Sequence, residues 1–196
     1  MKYQATPAAD RLITPAQFTQ LITILTPWRD ARTTTATTLA AQTAQTAHSA
    51  TCLTATLRVL SHFIQVLNLA IDRGTVPASA RAYYELPVQY TPVPDINTPA
   101  DALQWASKLA AGEAQRVLAG GPAMAWPTIG EVAAAATALQ AAETAQSAAK
   151  DTYDLAQEAV ALQRPAVDAC IRDLWDTIEF NLRPDDATSL RRRTRE

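Results

Sequence analysis

Hydrophobic and small residues recur with a helical period along the first half of the chain. Between Ala36 and Ile71 their spacing alternates between three and four residues without a break. This spacing is typical of coiled coils. The stripe consists of Ala36, Leu39, Thr43, Thr46, Ala50, Leu53, Leu57, Leu60, Ile64, Leu67 and Ile71. From Leu53 onward a second stripe runs beside it, through Val59, Phe63, Val66 and Ala70. A helix that is apolar on two sides needs neighbours on both, so the pattern predicts a bundle.

A second long helix is predicted in the last third of the chain. Its stripe runs from Val132 to Leu174 and keeps phase across Pro165. A proline inside a helix costs about 3 kcal/mol, so we expect either a kink at this position or two abutting helices. The sequence leaves open whether the two long helices run parallel or antiparallel. A parallel arrangement would match small residues with small residues, and the intervening segment is long enough for the crossover.

Threonine–proline pairs and glycines predict where the helices begin and end. Thr14 and Thr98 each precede a proline and are expected to be N-caps, and Thr128 with Glu131 forms a capping box. Together with Gly74 and Gly120, these signals predict four helices. The helices are a short one at 15–26, a long one at 28–73, a shorter one at 99–119 and a long one at 129–183. Thr26-Pro27-Trp28 is expected to divide the first two.

These elements define the predicted fold class. The chain is expected to be all-α: an elongated helical bundle with two long coiled-coil-like helices, two shorter helices and an irregular strap rich in proline and tyrosine at 75–98. Strand-like alternation is lacking, so no sheet is predicted. We expect residues 1–196 to form a single elongated domain with loose ends at 1–13 and 185–196.

The amino-acid composition limits the classes of partner that can be expected. Hydrophobic residues make up 48% of the chain, but alanine alone accounts for 41 residues, and the net charge is −2. A near-neutral chain has no general attraction to nucleic acid, although four arginines cluster between Arg191 and Arg195. The uncharged stretch 33–57 contains ten threonines, so we expect no membrane span. Two cysteines and no apolar leader predict reduced thiols and a cytoplasmic location.

Candidate chemistry is concentrated in the strap. Two interpretations are open: the strap covers the leucine-rich end of the first long helix, or its aromatic residues form a ligand or partner surface. The residues of that candidate surface are Tyr83, Tyr84, Tyr90, Trp105 and Trp126.

A metal site is a weaker possibility. Asp173, Asp176 and Glu179 share a face of the last helix, but the Glu-x-x-His partner motif of di-iron bundles is lacking. We therefore interpret these carboxylates as a solvated acidic face and predict no metal and no cofactor. No nucleophile signature, zinc spacing or dinucleotide fingerprint occurs in the sequence.

The sequence favours a non-enzymatic structural or interaction protein. Its partner is expected to be itself or another helical protein, contacted through an Ala/Thr-rich seam formed by residues 36–56 and 133–149. The alternative is a ligand-binding or metal-dependent enzymatic bundle, with its site between the 75–98 strap and the acidic face of the last helix. A third hypothesis is membrane activity through refolding of 33–57.

Overall fold

The computed structural model describes residues 12–89 and 92–182. In this part of the chain there are three α-helices, one 3-10 helix and no strand, which confirms the predicted all-α class. The elements are α1 (Pro15–Asp72), the 3-10 helix (Ala78–Tyr84), α2 (Pro99–Leu118) and α3 (Ile129–Asn181). Nearly all of the two predicted loose ends lies outside the described residues.

The predicted capping boxes begin the helices. The backbone N–H of Glu131 donates to Thr128 Oγ1 at 3.2 Å, and the backbone N–H of Thr128 donates to Glu131 Oε2 at 2.6 Å. Thr98 accepts from the backbone N–H of Asp101 at 3.1 Å. These bonds satisfy backbone donors that the first turn leaves unpaired.

The contribution of a helix cap to the free energy of unfolding can be measured by substitution. Thr128→Ala removes the hydroxyl that caps α3, and we expect it to lower the free energy of unfolding by about 1 kcal/mol. Thr137→Ala is the matched control, because the Thr137 hydroxyl donates to the carbonyl of Ala133 inside the helix and caps no helix end. Urea denaturation followed by circular dichroism would measure both. An equal effect of the two substitutions would contradict the capping role.

Two helices continue through proline. α1 is unbroken from Pro15 to Asp72, so the predicted boundary at Pro27 is wrong. α3 likewise passes through Pro165 as one helix, which excludes the abutting helices considered for that position. Both prolines lie where α1 and α3 pack side by side. Packing along the helix pair offsets the local cost of each proline, as tertiary contacts commonly override local preference.

The chain divides into two compact units, and both long helices contribute to each. The first unit comprises residues 1–39 and 152–196, and the second comprises 40–151. Within the second unit, Thr56 Oγ1 donates to the carbonyl of Ala135 at 3.1 Å, and Gln146 Nε2 donates to Thr46 Oγ1 at 3.3 Å. Residue numbers rise along α1 as they fall along α3, so the helices are antiparallel.

The second unit contains the larger core. Leu60, Phe63, Ile64 and Leu67 of α1 have no exposed surface. They pack with α2, the strap and the start of α3, whose buried members include Val76, Leu86, Ile96, Leu109, Val132 and Leu139. Burying a side chain of this size contributes about 1.5–3 kcal/mol. By length and composition α1 is apolar enough to cross a membrane, and 28% of its most apolar window is buried inside the protein.

The first unit is a pair of helices with little core. Gln17 Nε2 donates to Thr177 Oγ1 at 2.7 Å, and Thr35 Oγ1 donates to the carbonyl of Ala156 at 3.1 Å, so this pair is also antiparallel. Its buried hydrophobic residues, among those the structure describes, are Ala156, Val167 and Cys170. Small side chains of this kind bury little area per turn.

Candidate functional site

The aromatic residues that the sequence grouped into one surface differ widely in their exposure to solvent. Tyr84 is completely buried, and Trp105 is half-buried against the core of the second unit. Tyr83 is half-exposed on the 3-10 helix, and Trp126 is 74% exposed in the loop before α3. Tyr90 lies outside the described residues. Val76, Leu86 and Ile96 of the strap belong to the core, so the described part of the strap covers apolar surface.

The acidic residues of α3 lie on the surface of the first unit. Asp173, Asp176 and Glu179 are all exposed. Among the described residues, no group of three His, Cys, Asp or Glu side chains is placed to hold a metal ion. The strap belongs to the second unit and these carboxylates to the first.

A buried ionic cluster is the main polar feature of the second unit. Tyr84 of the 3-10 helix meets Glu113 and Arg116 of α2, and all three side chains are almost inaccessible to solvent. Arg116 Nε donates to Tyr84 Oη at 2.8 Å and to Glu113 Oε2 at 3.0 Å, while Arg116 Nη2 donates to Glu113 Oε1 at 2.9 Å. The Tyr84 hydroxyl donates to the Glu113 carboxylate. We call these three residues the Glu113 cluster.

The loop between α2 and α3 closes the Glu113 cluster. The backbone N–H of Met124 donates to Glu113 Oε1 at 2.7 Å, and Arg116 Nη2 donates to the carbonyl of Pro122 at 2.5 Å. Each carboxylate oxygen of Glu113 therefore accepts at least two hydrogen bonds. A saturated cluster of this kind fixes the positions of the 3-10 helix, α2 and the loop.

The protonation states follow from these contacts. Burial by itself raises the pKa of Glu113, but hydrogen bonds from Arg116, the Met124 N–H and Tyr84 outweigh it and hold the pKa below its ordinary value. Burial, reinforced by the neighbouring carboxylate, raises the pKa of Tyr84 well above its ordinary value. At neutral pH the cluster is thus an ionised Glu113–Arg116 pair with a neutral tyrosine.

Arg81 is a second buried cation in this unit. Its Nε donates to the carbonyl of Pro87 at 2.7 Å, and Nη1 donates to Asn68 Oδ1. Nη2 is buried and has no hydrogen-bond partner within the described part of the chain. Burial lowers the pKa of this guanidinium. Arg81 therefore ties the strap to α1.

The first unit contains a groove between α1 and α3, with a volume of about 460 Å³. Arg32 and Arg164 lie at one end of the groove, and its floor is mainly apolar. The Arg32 guanidinium lies 5.0 Å from the centroid of the Trp28 ring. The lining residues are Arg32, Thr35, Ala36, Leu39, Gln157, Val160, Ala161 and Arg164.

A separate apolar stripe runs along the solvent side of α3 in the same unit. Leu155 is 67% exposed and Leu162 is 82% exposed. Ala159 and Ala166, also exposed, continue the stripe at steps of four, three and four residues. We call these four residues the outer stripe. Its spacing repeats the period by which helices pack against each other.

Comparison of the chain with protein-family models, with curated proteins and with solved structures finds no match in any of the three.

Sequence reasoning identified some of these features and missed others. Tyr84 was selected for its aromatic ring, whereas its structural partners Glu113 and Arg116 were not. A glutamate and an arginine three residues apart are usually an exposed helix pair. The sequence feature that could have indicated this contact is Gly112, which allows α2 to approach the 3-10 helix closely.

Proposed function

We propose that this protein is a non-enzymatic interaction protein that self-associates through the outer stripe of its first unit. The observation that supports the proposal is the contrast between the small buried core of that unit and two leucines, Leu155 and Leu162, left exposed at a spacing of seven residues. Isolated exposed leucines are common, but a row of apolar residues at heptad spacing is typical of a helix that packs against another helix.

A second copy of the chain is the partner that best fits this surface. The first unit presents two antiparallel helices, and two such pairs placed face to face form a four-helix bundle. In a symmetric pair each outer stripe contacts its own counterpart, so the four leucines of two copies meet in one interface. Alanines between the leucines let the helix axes approach to about 8 Å.

The Ala/Thr-rich seam is an alternative surface for self-association. Part of the seam already serves the contact between α1 and α3 inside the second unit, where Ser49 donates to Glu143 and Thr56 bonds to Ala135. Its open side is a shallow groove on α3 that includes Ala136, Ala141 and Ala145. Because alanine buries less area than leucine, we place the main interface at the outer stripe.

The self-association prediction is tested by measuring mass in solution. The unmodified chain is expected to be a dimer at tens of micromolar concentration by light scattering. The double variant Leu155→Gln with Leu162→Gln is expected to be a monomer of 21.1 kDa. Each buried leucine contributes about 1.5–3 kcal/mol, so loss of four in a symmetric dimer weakens it by more than about 100-fold.

Two further variants locate the interface. Leu118→Gln is the matched control, because Leu118 is a lone leucine, 89% exposed, at the end of α2 in the second unit, and it should leave the dimer intact. Ala141→Gln changes the open side of the seam and should also leave it intact. A monomeric unmodified chain would contradict self-association. A dimer that only Ala141→Gln disrupts would contradict the outer stripe as its interface.

A further inference from the structure

The groove in the first unit combines an apolar floor with two cations at one end. α1 and α3 are antiparallel in this unit, so Arg32 on α1 and Arg164 on α3 share an end, and Leu39 and Gln157 share the other. Seven residues separate Arg32 from Leu39, which is about 10 Å along a helix. The groove therefore changes along its length from a cationic end to an uncharged end.

Neither arginine is engaged by a strong ion pair. The distance from Arg164 Nε to Asp168 Oδ2 is 3.9 Å, and both side chains are largely exposed, so this pair contributes little. No carboxylate of the described residues lies within 4.0 Å of the Arg32 guanidinium. The Trp28 ring instead lies beside Arg32, where the cation–π contact holds the side chain in place without neutralising its charge.

We infer that this groove binds an alkyl carboxylate of medium chain length. The carboxylate lies between Arg32 and Arg164, whose planar guanidinium groups match its two oxygens. The alkyl chain lies on the floor formed by Ala36, Val160 and Ala161. A groove of about 460 Å³ is within the range of small-ligand sites.

This inference is independent of the proposed self-association. Gln157, Ala161 and Arg164 face the groove, whereas Leu155 and Leu162 of the outer stripe lie on another side of α3. The two surfaces can therefore be disrupted one at a time.

Calorimetric titration with dodecanoate tests the site in the full-length protein. We expect binding with a dissociation constant of about 10–100 μM. Arg32→Gln and Arg164→Gln should each weaken it about tenfold, because each removes one charge-assisted contact. Arg29→Gln is the matched control, since Arg29 is an exposed arginine one turn before Arg32 that does not line the groove.

Two more measurements separate the head group from the chain. Dodecanol, which has the same chain without the charge, should bind at least about tenfold more weakly than dodecanoate. Ala161→Phe should block the groove, with circular dichroism showing that the helices are retained. Absence of dodecanoate binding at about 1 mM would overturn the inference. So would equal binding of dodecanol and dodecanoate, or equal affinity of the Arg32→Gln, Arg164→Gln and Arg29→Gln variants.

Discussion

Glu113→Gln is expected to lower the free energy of unfolding by about 3–5 kcal/mol. The substitution removes the only carboxylate that pairs with Arg116 in the described part of the chain, and Arg116 is itself buried. A buried guanidinium without its counter-charge is the main cost, and the amide also loses acceptor capacity toward Tyr84 and the Met124 N–H. Urea denaturation of the full-length chain, followed by circular dichroism, measures the loss.

Glu85→Gln is the matched control for this prediction. The distance from Glu85 Oε2 to Lys108 Nζ is 2.8 Å, but the glutamate is mostly exposed. Surface ion pairs contribute about 0–1 kcal/mol, so this variant should be close to the unmodified chain. The double variant Glu113→Leu with Arg116→Leu should recover part of the loss, because no unpaired charge is then left inside, while the Tyr84 hydroxyl and the Met124 N–H lose their partners. Similar losses for Glu113→Gln and Glu85→Gln would contradict the assigned role of the cluster.

The same carboxylate predicts how stability depends on pH. The pKa of Glu113 in the folded protein lies below its ordinary value of 4.5, so the unfolded chain takes up this proton at a higher pH than the folded chain does. Its stabilisation is therefore complete above that ordinary value and is lost as the pH falls through the folded pKa. The unmodified chain should lose stability more steeply than Glu113→Gln in this acidic range.

Gly112→Ala is expected to destabilise the protein by about 1–3 kcal/mol. A Cβ at this position would lie 2.5 Å from the carbonyl oxygen of Tyr83 and 2.7 Å from Cδ1 of Tyr84. The first contact is with backbone, so α2 and the 3-10 helix must move apart, which also disturbs the Glu113 cluster. The loss must exceed the helix-propensity gain of about 1 kcal/mol that alanine normally brings. Thermal and urea denaturation both report it.

Gly130→Ala is the matched control within a helix. Its new Cβ would contact only Thr128 Oγ1, at the ordinary distance of 3.7 Å. This variant should match or exceed the stability of the unmodified chain by up to about 1 kcal/mol. If Gly112→Ala were as stable as Gly130→Ala, the close approach of α2 to the 3-10 helix would be wrong.

The sequence predicts helix starts correctly where the determining contacts lie within one turn of the helix. Thr98 and Thr128 cap helices as expected, since a cap depends on residues within one turn. The helix boundary predicted at Pro27 is wrong because the local signal is the same but its surroundings differ. Thr26-Pro27 resembles the helix start at Thr14-Pro15, yet the residues before Pro27 are already helical and packed on α3. The antiparallel arrangement was undetermined, because small residues on both helices fit either direction.

The candidate sites could not be predicted from the sequence, because they are formed by residues that are far apart along the chain. No spacing rule brings Tyr84 to Glu113, which are separated by 29 positions, since that contact exists only once the strap folds back on α2. The groove likewise combines α1 and α3 residues more than a hundred positions apart. The spacing of the outer stripe can be read from the sequence. Its exposure, which distinguishes it from the stripe that faces α1, is known only from the folded unit.

The two helix-interior prolines lie at the same level of the first unit. Ten residues separate Gln17 from Pro27, and twelve separate Pro165 from Thr177, so the Gln17–Thr177 contact places the prolines opposite each other. Alanine and threonine contacts alone would tolerate a slip of one helix along the other. Each proline leaves one carbonyl of its helix without the usual backbone donor, because proline has no N–H. The observed alignment therefore places both interrupted turns side by side, and a shift of one helix along the other would separate them.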